Sequence, residues 1–152
     1  MEFFRLWWLN IQVSVKNALE FLVVIARYYT NISFCKIDLA LLAKYISKNP
    51  FRISRDFLSE HGAEDVYTFG ETPLTTMALI ADQCGISTGD NVLELGCGRG
   101  RTCFWLNSFK KCNVIGIEYI PSFVENALDI KQRFNVEGVD FFLADMLDAD
   151  FS

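Results

Sequence analysis

Three apolar runs of strand length punctuate the second half of the chain: Asn91–Leu95, Cys112–Glu118 and Gly138–Met146. Each is rich in Val, Ile, Leu or Phe, and each is bounded by glycine or a carboxylate, as short buried strands are. Between them the period changes. Thr102–Phe109 has helical character, and Pro121–Phe134 sets Phe123, Val124, Ala127, Leu128 and Ile130 near helical spacing. Pro121 suits a first helical turn, while Asn135 and Gly138 fall around the helix end. The order is β-α-β-α-β, and right-handed crossovers place the three strands parallel in one sheet. Upstream, Leu74–Cys84 reads as a further helix, and residues 34–60 as one or two more, divided near Asn49-Pro50.

The first thirty residues follow another pattern. Phe3–Tyr29 is apolar, with Trp7 and Trp8 near its start. On a helical wheel Arg5, Gln12, Lys16, Glu20 and Arg27 gather within about 80°, a narrow polar stripe on a long helix. No uninterrupted apolar run reaches the length of about 18 residues that marks a clean membrane span. Glu20 and Arg27 interrupt the apolar stretch and no small-x-small site follows it, so a cleavable signal peptide fits poorly. Three readings stay open: a helix covering the core, which is favoured; an interfacial membrane helix with its tryptophans at headgroup depth; or a partner-binding helix. The expected organisation is an α-helical extension over residues 1–60 and an α/β Rossmann-like domain over 61–152, without repeats or low-complexity tracts.

Composition narrows the chemistry. Apolar residues make up 51% of the 152-residue chain, enough for a packed core. The five cysteines (Cys35, Cys84, Cys97, Cys103, Cys112) form no C-x-x-C pair, and His61 is the one histidine, so no metal cluster is expected. Free thiols point to a reducing, cytoplasmic compartment. Cys97 reads as a small side chain filling its loop, and His61 as a helix-end or surface residue. Charge is uneven: residues 1–60 hold 8 Lys/Arg against 5 Asp/Glu, residues 61–152 hold 6 against 14. So acidic a second half carries no electrostatic footprint for nucleic acid.

The first strand run leads into Gly96-Cys97-Gly98-Arg99-Gly100, glycine at every second position, just before a helix. That is where an open α/β sheet binds its ligand. The spacing departs from the dinucleotide G-x-G-x-x-G, because Arg101 stands where the third glycine would fall. With Glu94 two residues ahead, the stretch resembles motif I of the class I S-adenosylmethionine-dependent methyltransferases. One βα unit on, Glu118 closes the second strand run near the spacing at which α/β nucleotide sites put an acid on ribose hydroxyls. A solvated acid at a strand end is the plainer reading. Arg99 and Arg101 could face a substrate carboxylate or solvent, and solvent is favoured.

The resemblance extends over about residues 67–148. Phe69-Gly70-Glu71-Thr72 is similar to the Tyr-Gly-Glu-Thr loop ahead of motif I in the disruptor-of-telomeric-silencing family of lysine methyltransferases. Gly116–Val124 is similar to the second-strand region of that family and of small membrane-anchored lysine methyltransferases. A helix-entry turn with Thr72 as N-cap and Pro73 at the first helical position fits the same residues. The resemblance implies S-adenosylmethionine as cofactor and Glu71, Thr72, Glu94, Gly96, Cys97, Gly98, Gly100, Glu118, Tyr119, Asp145 and Met146 as its binding residues. Glu71 and Thr72 would close on the methionine end, Glu118 would hold the ribose, and Asp145 with the Met146 N–H would read adenine.

The family's sheet has seven strands, and here the sequence ends after the third. A truncated or split enzyme is therefore expected, with a partner chain completing the sheet as one way to cover the first strand's edge. The strand bearing the usual catalytic motif would lie past Ser152, so no catalytic residue is assigned. Methyl transfer to a protein lysine is the expected function. A non-catalytic cofactor-binding or scaffold protein, a small-molecule or nucleic-acid methyltransferase, and a domain binding NAD or a nucleoside are the alternatives; the glycine spacing disfavours the last. Membrane-surface contact through residues 3–29 is the expected departure from a purely cytoplasmic location.

Overall fold

The structure, a computed structural model, describes residues 2–147. Among the described residues six helices and three strands follow in the expected order: α1 (Glu2–Tyr28), α2 (Ile32–Lys44), α3 (Pro50–Glu60), α4 (Leu74–Gln83), β1 (Asn91–Leu95), α5 (Arg101–Lys110), β2 (Asn113–Glu118), α6 (Pro121–Phe134) and β3 (Val139–Leu143). Residues 148–152 of the expected 61–152 unit lie outside the described residues. The strands form one parallel sheet in the order β1-β2-β3, with Leu93 opposite Ile115 and Gly116 opposite Phe141. Parallel neighbours need crossovers, and α5 and α6 supply them.

Both crossover helices lie on one face of the sheet, α5 against β2 and β3, α6 against β3 and β2. Val114, Val139 and Phe141 are buried beneath them, with Phe104, Phe123, Ala127 and Ile130 from the helices. Alternate strand residues point the other way, and there Leu93, Ile115 and Phe142 are exposed. Helix α2 adds a layer, packing on both α5 and α6, with Phe34, Ile37 and Leu41 buried. Helix boundaries follow local chemistry. Asn49 caps α3 by accepting the Phe51 N–H, Pro121 opens α6, and Asn135 closes it at φ 48°.

Two expectations need correction. Thr72 does not cap α4; Pro73 holds the cap position without a side-chain bond. A carboxylate from another helix does the capping instead. Glu20 of α1 accepts the Thr75 N–H at 3.1 Å and the Thr75 hydroxyl at 2.5 Å. The favoured reading of α1 as a core-covering helix holds for its last turns alone. Val24 and Tyr28 are buried, whereas Trp7, Trp8, Leu19 and Leu22 are each more than half exposed. Glu20, Val24 and Tyr28 share one face at i, i+4, i+8. That face turns its carboxylate toward the domain and leaves most of the apolar surface outside. The segment Trp7–Tyr28, 22 residues, is long and apolar enough by length and composition to cross a membrane.

Candidate functional site

Where β1 ends the chain turns tightly, and the turn needs glycine. Gly98 has φ +55° and Gly100 φ +75°, the left-handed region that costs an L-residue strain. Space is short as well. A Cβ on Gly100 would lie 2.5 Å from the Phe141 ring, and one on Gly98 3.3 Å from the ring of Phe69. Cys97 fills the turn from below: it is buried, and a Cβ on Gly116 would meet its sulfur at 2.7 Å. The neighbouring Cys103 thiol is pushed well up by its hydrogen bond with Cys97 and by burial, so it packs as a neutral group.

Two cavities open over this turn. The larger, about 290 Å³, is lined by Gly96, Gly98, Glu118, Tyr119, Ile120, Asp145 and Met146, with Thr68–Gly70 and Ser54 and Leu58 of α3 opposite. The smaller, about 40 Å³, has Gly70, Glu71, Thr72, Glu94, Gly96, Cys97, Gly98, Arg101 and Thr102 around it. Every residue expected to hold a cofactor except Gly100 lines one cavity or the other. Gly100 instead forms the N-cap of α5.

Glu118 is no solvated acid. It is buried, and its carboxylate accepts the N–H groups of Gly98 at 2.8 Å, Tyr119 at 2.8 Å and Ile120 at 2.9 Å. It therefore ties the glycine turn to the start of α6. An ionised carboxylate has about four acceptor sites, so one stays available toward the larger cavity. Asp145 accepts the Leu147 N–H at 2.9 Å through one oxygen, leaving the other unused by that turn. Glu94 lies beneath the turn, accepting from the Thr102 hydroxyl and the Cys103 thiol. Burial raises its pKa, an effect these two hydrogen bonds oppose.

Arg99 and Arg101 do not face solvent. Arg101 donates to both oxygens of Asp38 on α2, at 2.6 and 2.7 Å, and Asp38 accepts a third bond from Tyr29 at 2.9 Å. Arg99 makes the same forked pair with Glu71 and lays its guanidinium 4.9 Å from the Tyr45 ring centre. Asp38, Tyr45, Ser54 and Leu58 were absent from the sequence-based site. Asp38 and Arg101 lie 63 positions apart, and no local pattern links them.

The arrangement suits a nucleoside with an amino-acid tail. Glycine backbone lies bare beneath the ligand space, one carboxylate site faces it at the end of β2, another lies beyond β3, and carboxylates and an arginine ring the smaller cavity. Among the described residues no cluster of His, Cys, Asp or Glu could hold a metal.

Comparison with known proteins agrees. Residues 86–152 match the family model described as a methyltransferase domain. Erythromycin 3''-O-methyltransferase of Saccharopolyspora erythraea is 39% identical over 59 residues, which take in 38% of this chain and 19% of that protein. Sterol 24-C-methyltransferase of Saccharomyces cerevisiae is 33% identical over 73 residues, 47% of this chain and 19% of that one. The chain thus spans about one fifth of the length of these curated relatives. Among solved structures, an RNA methyltransferase from Salinibacter ruber in complex with S-adenosyl-L-homocysteine superposes with a TM-score of 0.51 at 25% identity, covering 55% of each chain. The parallel βαβαβ unit has the class I methyltransferase fold, whose cofactor is S-adenosylmethionine.

Proposed function

We propose that the chain binds S-adenosylmethionine across the two cavities and serves methyl transfer to a protein lysine. The observation that carries the cofactor half is the buried Glu118 carboxylate, holding the glycine turn open beside a 290 Å³ cavity. When bound, S-adenosylmethionine supplies a sulfonium methyl that passes to an acceptor nitrogen by in-line displacement, the C–S electron pair staying on S-adenosylhomocysteine. The chain's own part is positioning and exclusion of water. Glu118 and Asp145 offer acceptors to ribose and adenine, and Phe69 and Leu58 wall the larger cavity. Residues 61–152 serve as the cofactor unit and residues 1–60 as its α-helical extension, of which α2 and the last turns of α1 pack on the unit.

The lysine acceptor is supported by the Phe69–Thr72 loop, which crosses the glycine turn, and by the acidic second half, which favours a cationic substrate. A small-molecule acceptor is the second reading, favoured by the names of the two curated relatives. Transfer of tritiated methyl to lysine-rich polypeptides, beside a panel of small hydroxylated and amine acceptors, separates them. Label on the ε-amine of lysine alone supports the first reading, and label confined to small molecules replaces it.

For location we propose a cytoplasmic chain resting on a membrane through α1. The exposed apolar surface of Trp7–Tyr28 supports this, because the helix spends Glu20 on α4 and turns its apolar side chains outward. Vesicle flotation checks it. The unaltered chain should float and Trp7→Glu/Leu22→Glu should sediment; a chain that stays in the soluble fraction contradicts the assignment.

A further inference from the structure

Thr68–Glu71, which has neither helix nor strand, crosses the glycine turn as a strap. Gly70, Gly96 and Gly98 line both cavities, so the cavities are two ends of one trough with the strap over its middle. Phe69 lies against Gly98 there, its ring also packed on Phe51 at 5.1 Å and Phe123 at 5.2 Å. A ligand reaching both ends must pass beneath this strap.

The polar tie that holds the strap down is the forked pair between Glu71 and Arg99. Its two partners are unequal. Arg99 belongs to the turn, is 7% exposed and has a second anchor in the Tyr45 ring. Glu71 belongs to the strap and its side chain is 29% exposed. If the pair parts, Arg99 keeps the Tyr45 ring as a partner, and Glu71, the more exposed of the two, reaches water.

We propose that Arg99 is a positioning residue that latches the strap through Glu71, and that parting of this pair gates cofactor entry and exit. The inference rests on the cofactor reading above. It differs from a direct contact between Glu71 and the ligand in its kinetics. A contact residue slows dissociation alone, whereas a latch slows association and dissociation together.

Stopped-flow mixing of the full chain with S-adenosylhomocysteine, followed by displacement of the bound ligand, reads both rates. Circular dichroism first confirms folding. Glu71→Gln should raise both rates by roughly three- to tenfold while Kd moves by less than about threefold. Arg99→Lys keeps the charge but loses the fork, and should fall between. The exchanged pair Glu71→Arg/Arg99→Glu should bring both rates back toward those of the unaltered chain; if it does not fold, the two single variants carry the test. A rise in dissociation alone, or unchanged rates in Glu71→Gln, overturns the latch and leaves the cofactor reading intact. Absence of binding by the unaltered chain overturns both.

Discussion

Two arginines flank Gly100, and each forks onto a carboxylate from outside the βαβαβ unit, yet the pairs do different work. Asp38 is 1% exposed, sits on a helix and takes a third hydrogen bond from Tyr29. Glu71 sits on a loop and is far more open. The first pair fixes α2 to the start of α5, so the helical extension bears on the shape of the glycine turn. The second ties down a segment that must move for the trough to fill. Identical chemistry becomes a rivet or a latch according to burial and the stiffness of the element that carries it.

The contrast can be broken at its stronger side first. Asp38→Ala leaves the Arg101 guanidinium without its partner in a largely buried place, and should destabilise the fold by about 3–5 kcal/mol in denaturant titration. Asp38→Leu/Arg101→Met, which removes both charges, should recover most of that loss. A small effect of the single variant would reduce the rivet to an ordinary surface pair. Gly100→Ala comes next. Its Cβ must displace the Phe141 ring and adopt φ +75°, which together should cost about 2–4 kcal/mol. Gly98→Ala meets a softer neighbour at 3.3 Å and should cost less, with the strap lifted and cofactor affinity reduced.

Glu94 sharpens the comparison, since this third carboxylate beside the turn has hydrogen bonds but no arginine. Burial raises its pKa in the folded chain. The folded state then binds the proton more tightly than the unfolded one, so ionisation opposes folding. This penalty is absent below the unfolded carboxyl pKa of about 4.3 and grows as pH rises toward the folded value. Glu94→Gln should therefore gain stability relative to the unaltered chain at pH 7.5, with the gain shrinking at pH 5 in parallel thermal melts. A gap independent of pH would show that lost hydrogen bonding, not charge, governs the site. Glu71→Gln keeps an amide oxygen to accept from Arg99, so it should cost less than breaking the Asp38–Arg101 pair, about 1–2 kcal/mol.

Much of this frame was legible in the sequence. The three strand runs, the intervening helices and the glycine turn each follow from local pattern, and Pro121 and Asn49 mark helix starts through chemistry confined to a few residues. What escaped depends on distant pairing. Arg99 and Arg101 look like solvated charges until α2 and the strap supply carboxylates. Thr72 has the look of an N-cap, but Glu20 reaches the α4 N-terminus from 55 residues away. The polar stripe on α1 was visible; that Glu20 alone of it would turn inward, leaving tryptophan and leucine exposed, was not, because amphipathicity gives a helix two faces without saying which one meets the protein.

The most direct test of the central claim is calorimetric titration of the chain with S-adenosylhomocysteine, beside Gly98→Arg and Glu118→Ala. Micromolar binding by the unaltered chain, lost in both folded variants, is the predicted result. No binding by the folded unaltered chain, or equal binding by all three, would contradict a cofactor site built on the glycine turn.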